Sequence, residues 1–319
     1  MYALRGLAIC FSTFFLVYVA ISAAVVLAWQ RIIVHGQKWS PRICSDILFS
    51  LRISPLALAV LATLLFAGPS FVMFEPHAAK ESIGPWLPIL GLGGLAVIAA
   101  GVWNAASALR RISSAASQWA SGASRLSHPA GFSGQITLLR TTAVAPPLSA
   151  AGVFRARVWL SSKAEQVLSE SELHSALRHE FVHVRRRDNL RKLFLRFVTF
   201  PGMAKLEAAW LEATEMAADD GAVCTALEAL DLAAAVIKLS RFTPLTSPAE
   251  LVTSLVNSPA ELLNARVARL LAWSERREIP LPALWRKSAL WAAATFLTLV
   301  FTYSHLLLRV HAATELLVR

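Results

Sequence analysis

Four long apolar stretches constrain this sequence more than any other feature, because each approaches the ~20 residues that an α-helix needs to cross a bilayer. They cover about 7–29, 54–74, 86–107 and 288–308. The whole chain is 56% hydrophobic and only 16% charged, with a mean hydropathy of +0.54. This composition excludes an ordinary soluble domain and predicts a multi-span α-helical membrane protein.

Most ionisable residues lie between the third and fourth stretches, in a segment long enough for one domain. We therefore expect three spans in 1–107, an inserted domain in 108–287, and a fourth span with a short tail in 288–319. The formal net charge of +11 suits nucleic acid or an anionic membrane surface. The apolar spans favour the membrane, so the lipid bilayer is the expected partner and direct nucleic-acid binding is not expected.

The distribution of Lys and Arg predicts the orientation, since short cytoplasmic loops keep an excess of positive charge. Lys80 is the only basic residue of the second loop, whereas the first loop carries Arg31, Lys38, Arg42 and Arg52. This pattern places the N-terminus outside and the inserted domain in the cytosol. Three arginines would then lie on the outer side against the rule: Arg5, Arg309 and Arg319.

Local sequence patterns predict a connector, a strand and a site of close helix packing. Residues 113–134 are rich in Ser, Ala and Gly, which is typical of a flexible connector. Residues 154–161 alternate and contain β-formers, which indicates a strand. The glycines of 91–94 lie within a span, where small residues favour close helix packing.

Two helices are predicted to follow the strand. The first runs from Glu172 to about Phe197, with Ser169 or Ser171 as its N-cap. The second runs from about Lys205 to Leu230, after a Pro-Gly break.

The first of these helices contains the pattern H-E-x-x-H, formed by His179, Glu180 and His183. Histidines at i and i+4 lie one turn apart on the same helix face, so both can bind one Zn²⁺ ion while the Glu reaches the water that the metal activates. Random placement would produce this spacing roughly 0.01 times in such a chain. The pattern therefore predicts a zinc peptidase site with Glu180 as the catalytic carboxylate.

A catalytic zinc site needs a third protein ligand, and the second predicted helix offers Glu207, Glu212 and Glu215. Glu215 is preferred because Asp219 lies four residues later on the same face, where it could support the site. Asp188 is a further candidate for support, although it could equally pair with neighbouring arginines. Glu207 and Glu212 remain possible ligands at this point.

The combination of H-E-x-x-H, the Glu215-Met216-Ala217-Ala218-Asp219 run and the membrane spans resembles the BlaR/MecR-type integral-membrane zinc metallopeptidases. An Arg and an Asp soon after the second His recur in that family, as in Arg185 and Asp188 here. The resemblance implies an inserted α+β zincin-like (gluzincin) domain, with His179, His183 and Glu215 as zinc ligands. It also implies a multi-pass protein of a bacterial-type inner (cell) membrane.

By the same resemblance, the substrate is a cytosolic or membrane-proximal protein, such as a transcriptional repressor in a signalling pathway. The antibiotic-sensing members carry a long extracellular penicillin-binding domain after the fourth span, whereas only about ten residues follow Leu308 here. A β-lactam sensor function is therefore not expected. Alternative functions are membrane quality control, prenyl-protein processing, or a non-cleaving sensor or scaffold, and the intact Glu180 argues against the last.

Overall fold

The computed structural model describes residues 2–35, 39–75, 84–126, 136–143, 145–242, 252–254, 260–273, 298 and 302–315. Within these residues, three helices are long and apolar enough to cross a membrane: Tyr2–Val34, Pro41–Phe74 and Trp86–Ala120. They contain the first three predicted spans. The fourth predicted span lies mostly outside the described residues, although 302–315 forms a helix.

The N-terminal third of the chain is entirely helical where it is described. Helix α2 passes through a π-helical turn, Thr63–Ala67, directly into α3. The helices are α1 (Tyr2–His35), α2 (Pro41–Ala62), α3 (Gly68–Phe74) and α4 (Trp86–Ala120).

Helices α1 and α4 cross closely, as the glycines of the third stretch predict. A Cβ on Gly94 would lie 2.3 Å from the Phe11 carbonyl oxygen, and one on Gly91 would lie 3.4 Å from that of Ala8. Only glycine permits this approach at Gly94, because a contact below 3.0 Å forces the backbones apart.

Helix α4 continues to Ala120, so the prediction of a flexible connector is wrong for residues 113–120. Alanine is a strong helix former, and the end of the helix is anchored by packing. Trp119 is buried against Trp159 of the sheet, with ring centroids 5.8 Å apart, and its carbonyl accepts a hydrogen bond from Thr141 Oγ1 at 2.8 Å. The predicted boundary at 107/108 therefore falls inside a continuous helix.

A small mixed sheet follows α4, with strand order β1-β2-β4-β3-β5. Strands β2 and β4 are parallel, and the other pairs are antiparallel. The predicted strand of residues 154–161 is present but begins later, at Arg157. The strands are β1 (Ser124–Arg125), β2 (Thr137–Thr141), β3 (Leu148–Ala151), β4 (Arg157–Ser161) and β5 (Val252–Ser254).

Six helices, all within the described residues, complete this part of the chain. Ser169 is the N-cap of α6 and forms a capping box with Glu172, which decides between the two predicted caps. The helices are α5 (Ser162–Val167), α6 (Glu170–Arg186), α7 (Asp188–Phe197), α8 (Ala204–Ala222), α9 (Ala226–Ser240) and α10 (Ala260–Leu271).

Both predicted helix ranges need correction. The range Glu172 to Phe197 contains two helices, because Arg187 adopts a left-handed conformation with φ 56° and ψ 40°. The range Lys205 to Leu230 also contains two, since α8 ends at Ala222 and Thr225 caps α9. The break at Arg187 could not be predicted from Gly or Pro, because neither residue occurs there.

Helices α7 and α8 pack directly on the candidate membrane helices. Trp210 of α8 is fully buried in a cluster with Trp29 of α1 and Leu48 of α2. The turn between α7 and α8 reaches further, to the middle of α1, where Tyr18 Oη donates a 2.6 Å hydrogen bond to the Thr199 carbonyl. The helices that carry the candidate site are therefore fixed to the candidate spans.

Candidate metal centre

Helix α6 brings His179 and His183 together on its buried face. The two Nε2 atoms are 3.1 Å apart, and the rings are nearly perpendicular, with an interplanar angle of 81°. Each Nε2 lies 3.5 Å from a carboxylate oxygen of Glu215 on α8. The three ligand atoms lie within 4.8 Å of one another, so this buried group could hold a metal ion.

The structure selects Glu215 from the three glutamates that the sequence left open. Glu207 forms an ion pair with Arg196, with 3.6 Å between Oε1 and Nη2. Glu212 is exposed. Only Glu215 lies on the face of α8 that packs against α6, so the sequence-based preference agrees with the geometry.

Both predicted supporting carboxylates contact the histidines from behind. Asp188 Oδ2 lies 2.7 Å from His183 Nδ1, and Asp219 Oδ1 lies 3.0 Å from His179 Nδ1. A partner at Nδ1 fixes the ring orientation and directs Nε2 towards the site. Asp188 also lies 3.6 Å from Arg186 Nε, so the contacts that both interpretations expect, with a histidine and with an arginine, are present.

The left-handed residue between α6 and α7 positions Asp188. Because Arg187 turns the chain at the end of α6, Asp188 begins α7 and its side chain points back to His183. Non-glycine residues rarely adopt this conformation, which costs roughly 1 kcal/mol. The buried hydrogen bond to His183 offsets that cost. The break between α6 and α7 therefore helps to position a residue of the candidate site.

Arg266 of α10 is a member of the site that sequence reasoning missed. It is fully buried, and its Nη1 lies 3.0 Å from Glu215 Oε2. A signal exists in the sequence, since Arg266 is four residues from Leu262 and Leu270 on the apolar face of a helix. An arginine there predicts a buried carboxylate partner, although the pattern does not identify which one.

Glu180 lies fully buried beside the two histidines. Among the described residues, neither of its carboxylate oxygens makes a hydrogen bond of ordinary geometry, although the backbone of Ala150 lies close enough to lower its pKa. Burial raises the pKa of Glu180 to about 7; His179, His183 and the Ala150 backbone oppose the shift, and the charge of Glu215 adds to it. A buried carboxylate with so few partners can bind a group from outside the chain.

The charge of the site favours a cation. Four buried carboxylates surround the histidines, those of Glu180, Asp188, Glu215 and Asp219, and Arg266 balances part of their charge. Burial lowers the pKa of His183, but Glu215 and Asp188 outweigh it and raise that pKa to about 10. Two imidazole nitrogens and one carboxylate oxygen form a donor set that suits zinc and other divalent transition metals. The residues present therefore fit a metal ion.

Helix α7 also links the site to the sheet. Asn189 Nδ2 donates to the carbonyls of Ala150 and Gly152, at 3.0 and 3.1 Å. Lys192 Nζ donates to the Val252 carbonyl of β5 at 2.9 Å. Burial lowers the pKa of Lys192, and the charges of Glu215, Asp188 and Glu180 oppose that shift. The edge formed by β3 and β5 thus lies next to the metal-binding residues.

A second group of potential metal ligands, Glu75, His311 and Glu315, brings its ligand atoms within 4.8 Å of one another. Glu75 already forms a 2.8 Å ion pair with Arg5. Because Arg5 already supplies a positive charge to this second group, the argument for a bound metal ion is stronger at His179, His183 and Glu215.

Comparison with models of known protein families gives no match, and comparison with curated proteins gives no related sequence.

Proposed function

We propose that this chain is a membrane-bound zinc-dependent endopeptidase. One observation carries the proposal: the buried carboxylate of Glu180 makes no hydrogen bond of ordinary geometry among the described residues, and it lies directly beside two histidines and a glutamate that could hold one metal ion. A purely structural metal site closes its coordination with protein ligands and has no use for an adjacent free carboxylate. The three candidate membrane helices support the membrane location.

In this proposal His179, His183 and Glu215 bind the metal, while Asp188 and Asp219 orient the two imidazoles. Zinc, when bound, supplies a Lewis acid that polarises the peptide carbonyl and lowers the pKa of a water molecule. Glu180 accepts the proton of that water and returns it to the leaving amine. In the metal-free protein burial raises the pKa of Glu180 to about 7, and the positive charge of bound zinc would lower it, which favours the carboxylate form that accepts the proton.

We further propose a zincin-like catalytic unit, because H-E-x-x-H lies within α6 and Glu215 faces it from α8. We also propose that the site faces the cytosol, based on Arg31 near the end of α1, Arg42 at the start of α2 and Lys38 between them in the sequence. Arg52 lies inside α2 and does not contribute to this argument. The resemblance to the BlaR/MecR-type family supports a cytosolic or membrane-proximal protein as substrate, with a transcriptional repressor as the leading candidate. The close packing of α7 and α8 on the candidate spans agrees with a substrate presented near the membrane surface.

The test uses the full chain purified in lipid nanodiscs. Bound zinc is measured by elemental analysis, and hydrolysis is measured with casein and by self-cleavage. We expect one zinc per chain in the wild type. His179→Ala and Glu215→Gln should lose zinc and activity, whereas Glu180→Gln should keep zinc and lose activity by at least ~10²-fold.

Glu212→Gln is the matched control for Glu215→Gln, because Glu212 lies on the same helix but is exposed. It should retain both zinc and activity. A wild-type protein that binds no zinc, or a Glu180→Gln variant that cleaves at the wild-type rate, would refute the proposed function.

A further inference from the structure

A cavity of about 560 Å³ lies between the membrane helices and the helices of the site. Its walls come from α2, α4, α7 and α8. On α4, Trp103, Ser107 and Arg111 line it at four-residue spacing along one helix face. None of the residues that line the cavity belongs to the candidate metal centre, so the cavity is a separate feature of the fold.

Arg52 of α2 lines this cavity, and its guanidinium is unusually buried. Only 3% of the residue is exposed, and among the described residues Nε and Nη1 have no hydrogen-bond partner. An arginine stays charged at any ordinary pH, and burying its donors without hydrogen-bond partners is energetically costly. A ligand that accepts hydrogen bonds from this guanidinium would remove that cost.

The other charges of the cavity favour an anion. Arg111 and Arg196 also line it, whereas Glu207 is the one carboxylate among the described lining residues. Glu207 Oε1 lies 3.6 Å from Arg196 Nη2, so its charge is already compensated in part. Arginines thus outnumber carboxylates among the described residues that line the cavity. Guanidinium groups match the geometry of phosphate oxygens particularly well.

The apolar residues of the cavity wall indicate that the phosphate compound also has an apolar part. Trp103, Leu195, Phe200 and Met203 line the same cavity. The cavity also lies where the apolar part of α4 gives way to Arg110 and Arg111, which is typical of the membrane–water interface. A ligand with a phosphate for the arginines and acyl chains for the apolar wall fits both observations.

We propose that this cavity binds the phosphate group of an anionic phospholipid. The bound lipid would connect α2 and α4 to α7 and α8, on which Asp188 and Glu215 lie about two turns from the cavity. Occupancy would therefore stabilise the contact between the candidate spans and the helices of the metal centre. The proposal does not depend on peptidase activity.

The test compares full-length protein in nanodiscs of phosphatidylcholine with protein in nanodiscs that also contain phosphatidylglycerol. Two readouts are used, the unfolding temperature and the lipid retained in native mass spectrometry after transfer to detergent. We expect phosphatidylglycerol to raise the unfolding temperature and one anionic phospholipid to be retained. Arg52→Gln and Arg111→Gln should weaken retention about 10-fold or more.

Arg31→Gln is the matched control, since Arg31 is an exposed arginine of α1 that does not line the cavity. It should behave as the wild type. Arg111→Gln is included because Arg111 is exposed, so this variant should fold even if Arg52→Gln does not. Equal lipid retention in Arg111→Gln and Arg31→Gln would overturn the proposal.

A third arm distinguishes a lipid from free phosphate. Inorganic phosphate is added to the protein in pure phosphatidylcholine nanodiscs. Little or no stabilisation is expected, because phosphate alone does not use the apolar wall. Stabilisation by inorganic phosphate as large as that by phosphatidylglycerol would overturn the assignment to a phospholipid.

Discussion

The guanidinium of Arg266 binds both carboxylate oxygens of Asp219, with Nε 2.9 Å from Oδ2 and Nη2 2.8 Å from Oδ1. The third nitrogen, Nη1, contacts Glu215 Oε2. One side chain of α10 therefore holds the acidic partner of His179 and the candidate third ligand at the same time. This contact fixes the position of α8 relative to α10.

Replacement of Arg266 by Met should destabilise the metal-free protein strongly. Asp219 and Glu215 would lose their cationic partner, and breaking a buried ion pair in this way costs about 3–5 kcal/mol. Zinc should restore part of the loss, because it supplies positive charge to Glu215. The measurement is thermal unfolding with and without zinc.

Arg269→Gln is the control for this prediction. Arg269 lies on the same helix and pairs with Asp220, but both side chains are partly exposed. Its loss should cost about 1 kcal/mol or less. Similar destabilisation by both substitutions would contradict a special role for Arg266.

Asp188→Asn should weaken metal binding while the fold is retained. The substitution removes the carboxylate that fixes His183 through Nδ1, and the loss of such a supporting partner typically lowers metal affinity about 10- to 100-fold. Chelator competition measures the effect. Asp220→Asn, on the accessible part of α8, should leave the affinity unchanged. An unaltered affinity in Asp188→Asn would show that the Asp188–His183 contact does not support the metal.

The metal-free protein should lose stability as the pH rises from about 6.5 to 10. His183 has its pKa raised from 6.5 to about 10, so over this range the folded protein keeps a proton that the unfolded chain releases. The unfolded state then binds fewer protons, and the free energy of unfolding falls with increasing pH. Below pH 6.5 the contribution is fully present.

The carboxyl group of Glu180 also makes the metal-free protein less stable as the pH rises, but over a lower pH range. Its pKa is raised from 4.5 to about 7, so the folded state again holds the extra proton between these values.

Zinc should reverse this loss of stability with rising pH, because a metal competes with protons for its ligands and binds better as pH rises. Chemical unfolding at several pH values, with and without zinc, tests this. Stability of the metal-free protein that increases from pH 6.5 to 9 would contradict it.

Gly101→Ala should separate α4 from α7. A Cβ at this position would lie 2.6 Å from the Phe197 carbonyl oxygen, a backbone atom that cannot move independently. We expect a loss of about 1–3 kcal/mol, typical of overpacking. Gly68→Ala is the control, since its Cβ would meet its nearest neighbour at an ordinary 3.5 Å. Equal unfolding temperatures for the two variants would show that this approach is not important for stability.

The parts of the site that could be predicted are those fixed by helical periodicity. His179 and His183, and likewise Glu215 and Asp219, are four residues apart on one helix, so their common face follows from the sequence. The three N-terminal apolar helices were predictable for a similar reason, because length and hydropathy alone define a candidate span.

The remaining features depend on contacts between distant residues. The break at Arg187 has no Gly or Pro signal and is stabilised by the contact of Asp188 with His183. Arg266 approaches Asp219 only after α10 packs against α8, 47 residues away in sequence. The connector was mispredicted because the packing of Trp119 on Trp159 decides the length of α4.

The hydrogen bond from Tyr18 to Thr199 has a practical consequence for inhibitor discovery. The turn that contains Thr199 joins two helices of the candidate metal centre, and it ends against the middle of α1. A water-soluble fragment without α1, α2 and α4 would expose Trp210, Leu206 and Val198 and would be expected to aggregate. Compound screens should therefore use the whole chain in lipid, and substitutions in α1 that alter the response to a compound need not lie near where it binds.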